Sequence, residues 1–222
     1  MTADRKFDET AEIIFHRKLE QAVPEFEKNL KELPQRDVIK ESDIPIIPQI
    51  FWLNARDSYI LNQYFGSILL GGMAIEIAVR EFLQGWFERY VKDKPMISAT
   101  SWLLEELDFR KAISLCEMLE VFGQKSDEIY GKLHKCYDIR NKYSHARLTA
   151  ILGKLADEVV EVRDEQGKTV KTHTIKEDEM LTAAGAQMNA HDDALTMISL
   201  IEEAFDVIFR KSGYWYGKPG QP

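Results

Sequence analysis

Residues 64 to 83 read YFGSILLGGMAIEIAVREFL. Around them, Leu61, Tyr64, Ile68, Gly72, Ile75, Val79, Phe82 and Trp86 recur at steps of three and four, the period of an α-helix. Leu69, Ile77, Ala78 and Leu83 widen the apolar face. A helix apolar over most of its girth belongs at the centre of a bundle, because no solvent-facing stripe is left. The expected fold class is therefore all-α. Gly71 and Gly72 each cost roughly 1 kcal/mol relative to alanine in a helix. Close approach of a neighbouring helix is the reason to keep them. The longest apolar run, Ile68 to Ile75, stops at Glu76 and is too short to span a bilayer.

Upstream, Phe15, Leu19, Ala22, Phe26, Leu30 and Leu33 mark one helix face. The stripe passes Pro24 in phase, so Pro24 either kinks one helix or opens a second. Residues 34–48 hold Pro34, Pro45 and Pro48 and read as a connector. Residues 1–50 thus form a helical extension and connector, 51–216 the main helical domain and 217–222 a loose tail.

Downstream, Lys92 to Pro95 ends the central helix. Thr100 or Ser101 can cap a short helix carrying Trp102, Leu103, Leu104 and Leu107, with Glu105 in its first turns. A further helix, about Phe109 to Phe122, stops at Gly123. Ser126 can cap another, on which Ile129, Leu133, Cys136 and Arg140 share a face. Residues 159–175, VVEVRDEQGKTVKTHTI, switch to a period of two, with a turn expected from Asp164 to Gly167. They read as a small β-hairpin inserted in the bundle. Asn189 can cap a last helix, with Asp192 and Asp193 in its first turn and Leu195, Ile198, Ile201, Phe205 and Ile208 buried.

The chain of 222 residues carries 29 Lys and Arg against 37 Asp and Glu, a net charge of -8. That balance excludes a protein that coats nucleic acid unselectively, since phosphate neutralisation supplies such affinity. Any nucleic-acid contact needs a local basic patch. Cys116 and Cys136 are too few for a disulfide framework and read as buried thiols. The opening MTADRKFDETAE has no apolar core of a signal peptide, so a cytoplasmic, soluble protein is expected. There is no glycine-rich phosphate loop, no G-x-S-x-G and no H-E-x-x-H. His134, Cys136, Cys116 and His145 fit no standard zinc spacing. Glu76 and Glu81, five apart on a helix, point to different faces and read as ion-pair or solvated charges.

Residues 139–146, IRNKYSHA, are different in kind. Arg140 lies in phase with Leu133 and Cys136 on a buried stripe, where a guanidinium must find acceptors. If the helix continues, Asn141 and His145 are one turn apart on one face. Lys132, Lys135, Arg140, Lys142 and Arg147 face only Asp138, which makes this the local basic patch. A helix end rich in basic residues is also what the helix dipole favours, so a structural reading stands beside the functional one.

Arg140-Asn141-x-x-x-His145 resembles the R-N-x-x-x-H signature of the HEPN superfamily. The stretch at 64–83 resembles the first core helix of those domains. The stretch FRKAISLCEMLEVFGQKSDEIYGKLHKCYDIRNKYSHA resembles the paired helices that lead to the signature, in the branch near the mannitol-operon repressor-like proteins. The resemblance covers about residues 55–150. It implies a helical bundle that forms a homodimer with two signatures near the dyad. It also implies a metal-independent endoribonuclease of toxin–antitoxin, RNA-processing or antiphage kind, without a cofactor. Other members are non-catalytic regulators or adaptors that work through a protein partner, and that reading stays open. In the enzyme reading His145 serves as acid or base, Arg140 grips phosphate and Asn141 orients either. Lys132, Lys142 and Arg147 would contact RNA, and Tyr143 would stack on a base or, the favoured reading, pack in the dimer contact.

Overall fold

The computed structural model describes residues 22–34, 44–90, 103–104, 106–123, 126–145, 151–153, 158–163, 169–175 and 179–211, together with Glu20. It is an α-helical bundle with one two-stranded antiparallel ribbon. In chain order the elements are α1 (22–32), α2 (Ile46–Ile60), α3 (Tyr64–Tyr90), α4 (Phe109–Met118), α5 (Ser126–Ser144), β1 (Val159–Arg163), β2 (Thr169–Thr174) and α6 (Glu179–Phe205). A π-helical end, Asp206–Lys211, continues α6. The expectations at Phe15 and Leu19, at Thr100, Ser101 and Trp102, at Arg147, for the turn at 164–167 and for the tail fall outside the described residues.

The centre is α3, as its apolar girth predicts, although the full enclosure expected does not hold at Phe65, Leu69 and Met73, which remain exposed along one edge. It packs on α2, α4, α5 and α6. Ile68, Ile75, Val79, Phe82 and Leu83 are fully enclosed. The two glycines explain the closeness of two of these contacts. A Cβ on Gly71 would lie 2.9 Å from both Ile201 Cδ1 and Met197 Cγ of α6. A Cβ on Gly72 would overlap the side-chain stem of Arg140 on α5. The helix-propensity cost of the glycine pair is thus exchanged for two helix–helix approaches.

The connector expected at 34–48 ends earlier than expected, residues 35–43 of it lying outside the described residues. Helix α2 begins at Ile46, with Pro45 at its N-cap and Pro48 in its first turn. A proline there forfeits no intrahelical hydrogen bond, so these prolines open a helix rather than exclude one. The helix ends where Asn62 turns left-handed, at φ 61°. The central helix accordingly starts at Tyr64 rather than Leu61. Helix α4 is capped by Asp108, which accepts from the Lys111 amide at 2.9 Å, and stops at Met118 rather than Phe122.

Two polar networks fasten the extension to the bundle. Arg56 and Glu202, both buried, form an ion pair between α2 and α6. Arg56 also donates to the carbonyl of Pro34 at 3.0 Å, and Trp52 Nε1 donates to Glu202 at 3.3 Å. Asn29 is buried in place of the expected Leu30, which is exposed. Its amide donates to the carbonyl of Tyr59 at 3.1 Å and to Asn62 Oδ1 at 2.7 Å. Glu32 accepts from the Tyr59 hydroxyl at 2.8 Å and meets His191 Nε2 at 2.9 Å, while His191 Nδ1 lies 3.0 Å from Asp192.

The hairpin forms as its alternation requires, with Val160 opposite His173 and Val162 opposite Lys171. Asn189 does not cap a helix. It sits inside α6, and its side chain donates to the carbonyls of Ile151 and Leu152 at 2.8 and 3.0 Å. Asp192 and Asp193 are therefore mid-helix residues. Cys116 and Cys136 are fully buried on α4 and α5, without a disulfide. Burial pushes both thiols up, Cys136 to about 12.

Candidate functional site

The signature occupies the last turn of α5. Ile139 and Tyr143 face the core, while Arg140, Asn141 and Lys142 lie at its margin and His145 is exposed in the turn that follows Ser144. The helix thus ends one residue short of the histidine.

Arg140 crosses α3 at Gly72, and the absence of a side chain there lets its stem lie on the helix backbone. Its Nη2 reaches Glu76 Oε2 at 3.1 Å. Glu76 is thus the acceptor that the buried phase of this guanidinium requires. The second oxygen of Glu76 accepts from Arg80 Nη2 at 2.5 Å. Arg80 Nη2 also donates to the carbonyl of Leu107. Glu76 is therefore a buried carboxylate between two guanidiniums, which offsets the cost of taking its charge out of water. Glu81, one turn on, is a different case. Burial alone raises its carboxyl above the ordinary range, and its Oε2 has no partner among the described residues.

Lys142 and Tyr143 share one acceptor. Asp193 Oδ2 takes the Lys142 ammonium and the Tyr143 hydroxyl, each at 2.7 Å. Tyr143 is buried, and Phe65 meets its ring edge to face at 5.2 Å. Burial first, then the Asp193 carboxylate, holds its phenol well above the ordinary range, so it stays a donor. Its packing contact is thus with α3 and α6 of the same chain.

Lys132 lies about two turns earlier on α5. Its ammonium is held by Glu128 and Glu203, each at 2.6 Å, and the Glu128 hydrogen bond is the larger cause of its raised pKa. It borders a cavity of about 540 Å³ with Phe122, Ile129, Glu203 and Val207, on a part of α5 away from the signature. Arg147 lies outside the described residues. The structure therefore groups Arg140, Asn141, Lys142 and Tyr143 at the end of α5, next to His145, and sets Lys132 apart.

Sequence reasoning missed Asp193 as the partner of Lys142 and Tyr143, about fifty residues away along the chain. It also missed Arg80 as the second holder of Glu76, although the i,i+4 spacing of an acid and a base on one helix signalled that pair. His134 meets Glu117 at 2.9 Å, and among the described residues no group of three His, Cys, Asp or Glu is placed to hold a metal ion. No described helix is long and apolar enough to cross a membrane.

Comparison with protein-family models, with curated proteins and with solved structures yields no match. The likeness to the HEPN superfamily thus rests on the residues quoted above.

Proposed function

We propose that the protein is a cytoplasmic HEPN-type endoribonuclease that works without a metal. The observation that carries this reading is the end of α5, where a partly exposed guanidinium, an amide and an exposed imidazole follow one another at Arg140, Asn141 and His145. The chemistry asks only for those groups. The 2'-hydroxyl of a ribose gives up its proton and attacks the adjacent phosphorus. The bond from phosphorus to the 5'-oxygen breaks, and that oxygen takes a proton. A 2',3'-cyclic phosphate and a 5'-hydroxyl result. His145 moves one of these protons. Arg140 stabilises the charge on the phosphorane through its planar fork.

A homodimer completes the site in this reading. Phe65, Leu69 and Met73 recur at steps of four on α3 with 39%, 37% and 39% of their surface exposed. Phe65 touches Tyr143, so this stripe flanks the signature. A second copy seated on it would bring two signatures near one axis. The role would be that of a toxin–antitoxin, RNA-processing or antiphage nuclease.

A second reading is a non-catalytic regulator or adaptor. The ion pairs of Lys142 with Asp193 and of Arg140 with Glu76 favour it, because both cations are already satisfied within the chain.

The deciding experiment is cleavage of structured, single-stranded and transfer RNAs by purified protein in EDTA. The enzyme reading expects a cyclic-phosphate product, no cleavage of a strand with a 2'-deoxy sugar at the scissile position, and a loss of roughly 10²–10⁴ in rate for His145→Ala. Arg140→Lys keeps the charge without the fork and should remain badly impaired. Cleavage unchanged in His145→Ala, or absent from the wild type on all three RNA classes, overturns it in favour of the second reading.

A further inference from the structure

Arg80 is outside the R-N-x-x-x-H set, yet it holds the same carboxylate as Arg140. The two oxygens of Glu76 are divided between the two guanidiniums, Oε1 to Arg80 at 2.5 Å and Oε2 to Arg140 at 3.1 Å. Arg80 is fixed a second time, because its Nη2 also donates to the carbonyl of Leu107. Both side chains are 29% exposed, but among the described residues the Arg140 guanidinium has Glu76 alone as a polar partner, its stem resting against Gly72. The shorter contact and the extra anchor belong to Arg80. The longer contact, without a second polar anchor among the described residues, belongs to Arg140.

We propose that Glu76 is an internal anion occupying Arg140 until a phosphodiester of single-stranded RNA replaces it, and that Arg80 is the positioning residue that makes this exchange possible. The inference rests on the reading of Arg140 as a phosphate-binding group. Its physical basis is the charge left behind. The Glu76 side chain is only 12% exposed, so stripping it of every counter-charge is strongly unfavourable. With Arg80 in place, Glu76 keeps one guanidinium when Arg140 turns away. Without Arg80, Arg140 becomes the sole counter-charge of a buried carboxylate and is held back from the ligand. Arg80 then raises RNA affinity without touching RNA. Glu76 lowers it by competing for Arg140. The packing of the Arg140 stem on Gly72 confines the movement to the outer atoms of the guanidinium.

The two roles have opposite signs, and that makes them testable. The probe is a fluorescently labelled, 2'-O-methyl single-stranded oligonucleotide, which binds without being cut, followed by anisotropy at fixed salt. Arg80→Gln should weaken binding about tenfold and Glu76→Gln should tighten it about tenfold, the size of one charge-assisted hydrogen bond. The double variant should bind like Glu76→Gln, since without the carboxylate nothing restrains Arg140. Arg80→Lys, which keeps a cation beside Glu76, should stay near wild type and serves in place of a glutamine variant that fails to fold. Equal weakening by Arg80→Gln in the presence and absence of Glu76, or weakening by Glu76→Gln, overturns the exchange. If binding depends on Arg140 but not on Arg80, this inference fails and the phosphate-binding role of Arg140 stands. If the whole pattern appears without strand cleavage, the exchange stands and the nuclease reading fails. No binding by the wild type overturns both.

Discussion

Gly72 and Arg140 touch so closely that a single methyl group on the glycine would overlap the arginine stem. The atoms concerned are those nearest the α5 backbone, so relief requires the helix itself to move. Gly72→Ala should therefore destabilise the fold. Overpacking costs roughly 1–3 kcal/mol, against about 1 kcal/mol gained in helix propensity. Gly71→Ala meets Ile201 Cδ1 and Met197 Cγ, which lie further out on flexible side chains, and should cost less. Urea denaturation of both variants gives the order. A Gly72→Ala protein more stable than wild type would show that α3 and α5 are not held at this distance.

Asp193 gathers two partners from α5, Lys142 and Tyr143. Tyr143→Phe removes one buried hydrogen bond and should cost about 1 kcal/mol. Asp193→Asn should cost more, since it removes the negative charge facing Lys142. It should also steepen the salt dependence of RNA binding, because the ammonium becomes available to phosphate. An unchanged salt slope would place Lys142 away from the nucleic-acid path.

The contact of Glu32 with Tyr59 and His191 ties α1 to the bundle in a pH-dependent way. The Tyr59 hydrogen bond, then that of His191, depresses the Glu32 carboxyl below its ordinary value. A depressed acid stabilises the folded state above its unfolded pKa and loses that contribution as pH falls through the folded one. Glu32→Gln should thus lower the thermal midpoint at neutral pH by about 2–4 °C, the equivalent of 1 kcal/mol in a chain of this size. The gap should close in acid, below the ordinary carboxylate range. A gap that stays constant with pH would assign the effect to packing instead.

The stripe of Phe65, Leu69 and Met73 predicts how a homodimer would fail. Leu69→Glu places a charge at the centre of the apolar surface and should convert dimer to monomer in sedimentation at tens of micromolar, with RNA cleavage lost and helix content kept. A wild-type protein that is monomeric at that concentration removes the composite site. A variant that remains a dimer moves the interface elsewhere.

The bundle was legible where the apolar period was long. The period of Ile68, Ile75, Val79 and Phe82 places α3 at the centre, and the alternation of Val160 and Val162 places the ribbon. The N-terminus of α2 was not legible. Proline is read as a helix breaker, yet Pro45 and Pro48 occupy positions whose amides have no intrahelical partner to lose. Asn189 misled for the opposite reason. It is a good capping residue, but its amide is used to tie 151–152 to α6. In the candidate site, the need of Arg140 for a carboxylate followed from its buried phase. The identity of Asp193 as partner to Lys142 could not follow from local pattern, because tertiary packing alone joins them.

The burial of Cys116 and Cys136 has a chemical corollary. A thiol must lose its proton before it attacks an alkylating reagent, and both of these are enclosed and held in the protonated form. They sit on adjoining helices, α4 and α5, the second of which also carries the signature. Modification of either sulfur must wait for the packing around it to open. The chain thus contains its own stopwatch. The rate at which a maleimide captures the two sulfurs, read by mass spectrometry on the native protein, times the opening of the packing that encloses them, and in the ribonuclease reading proposed above a phosphodiester at Arg140 should slow it.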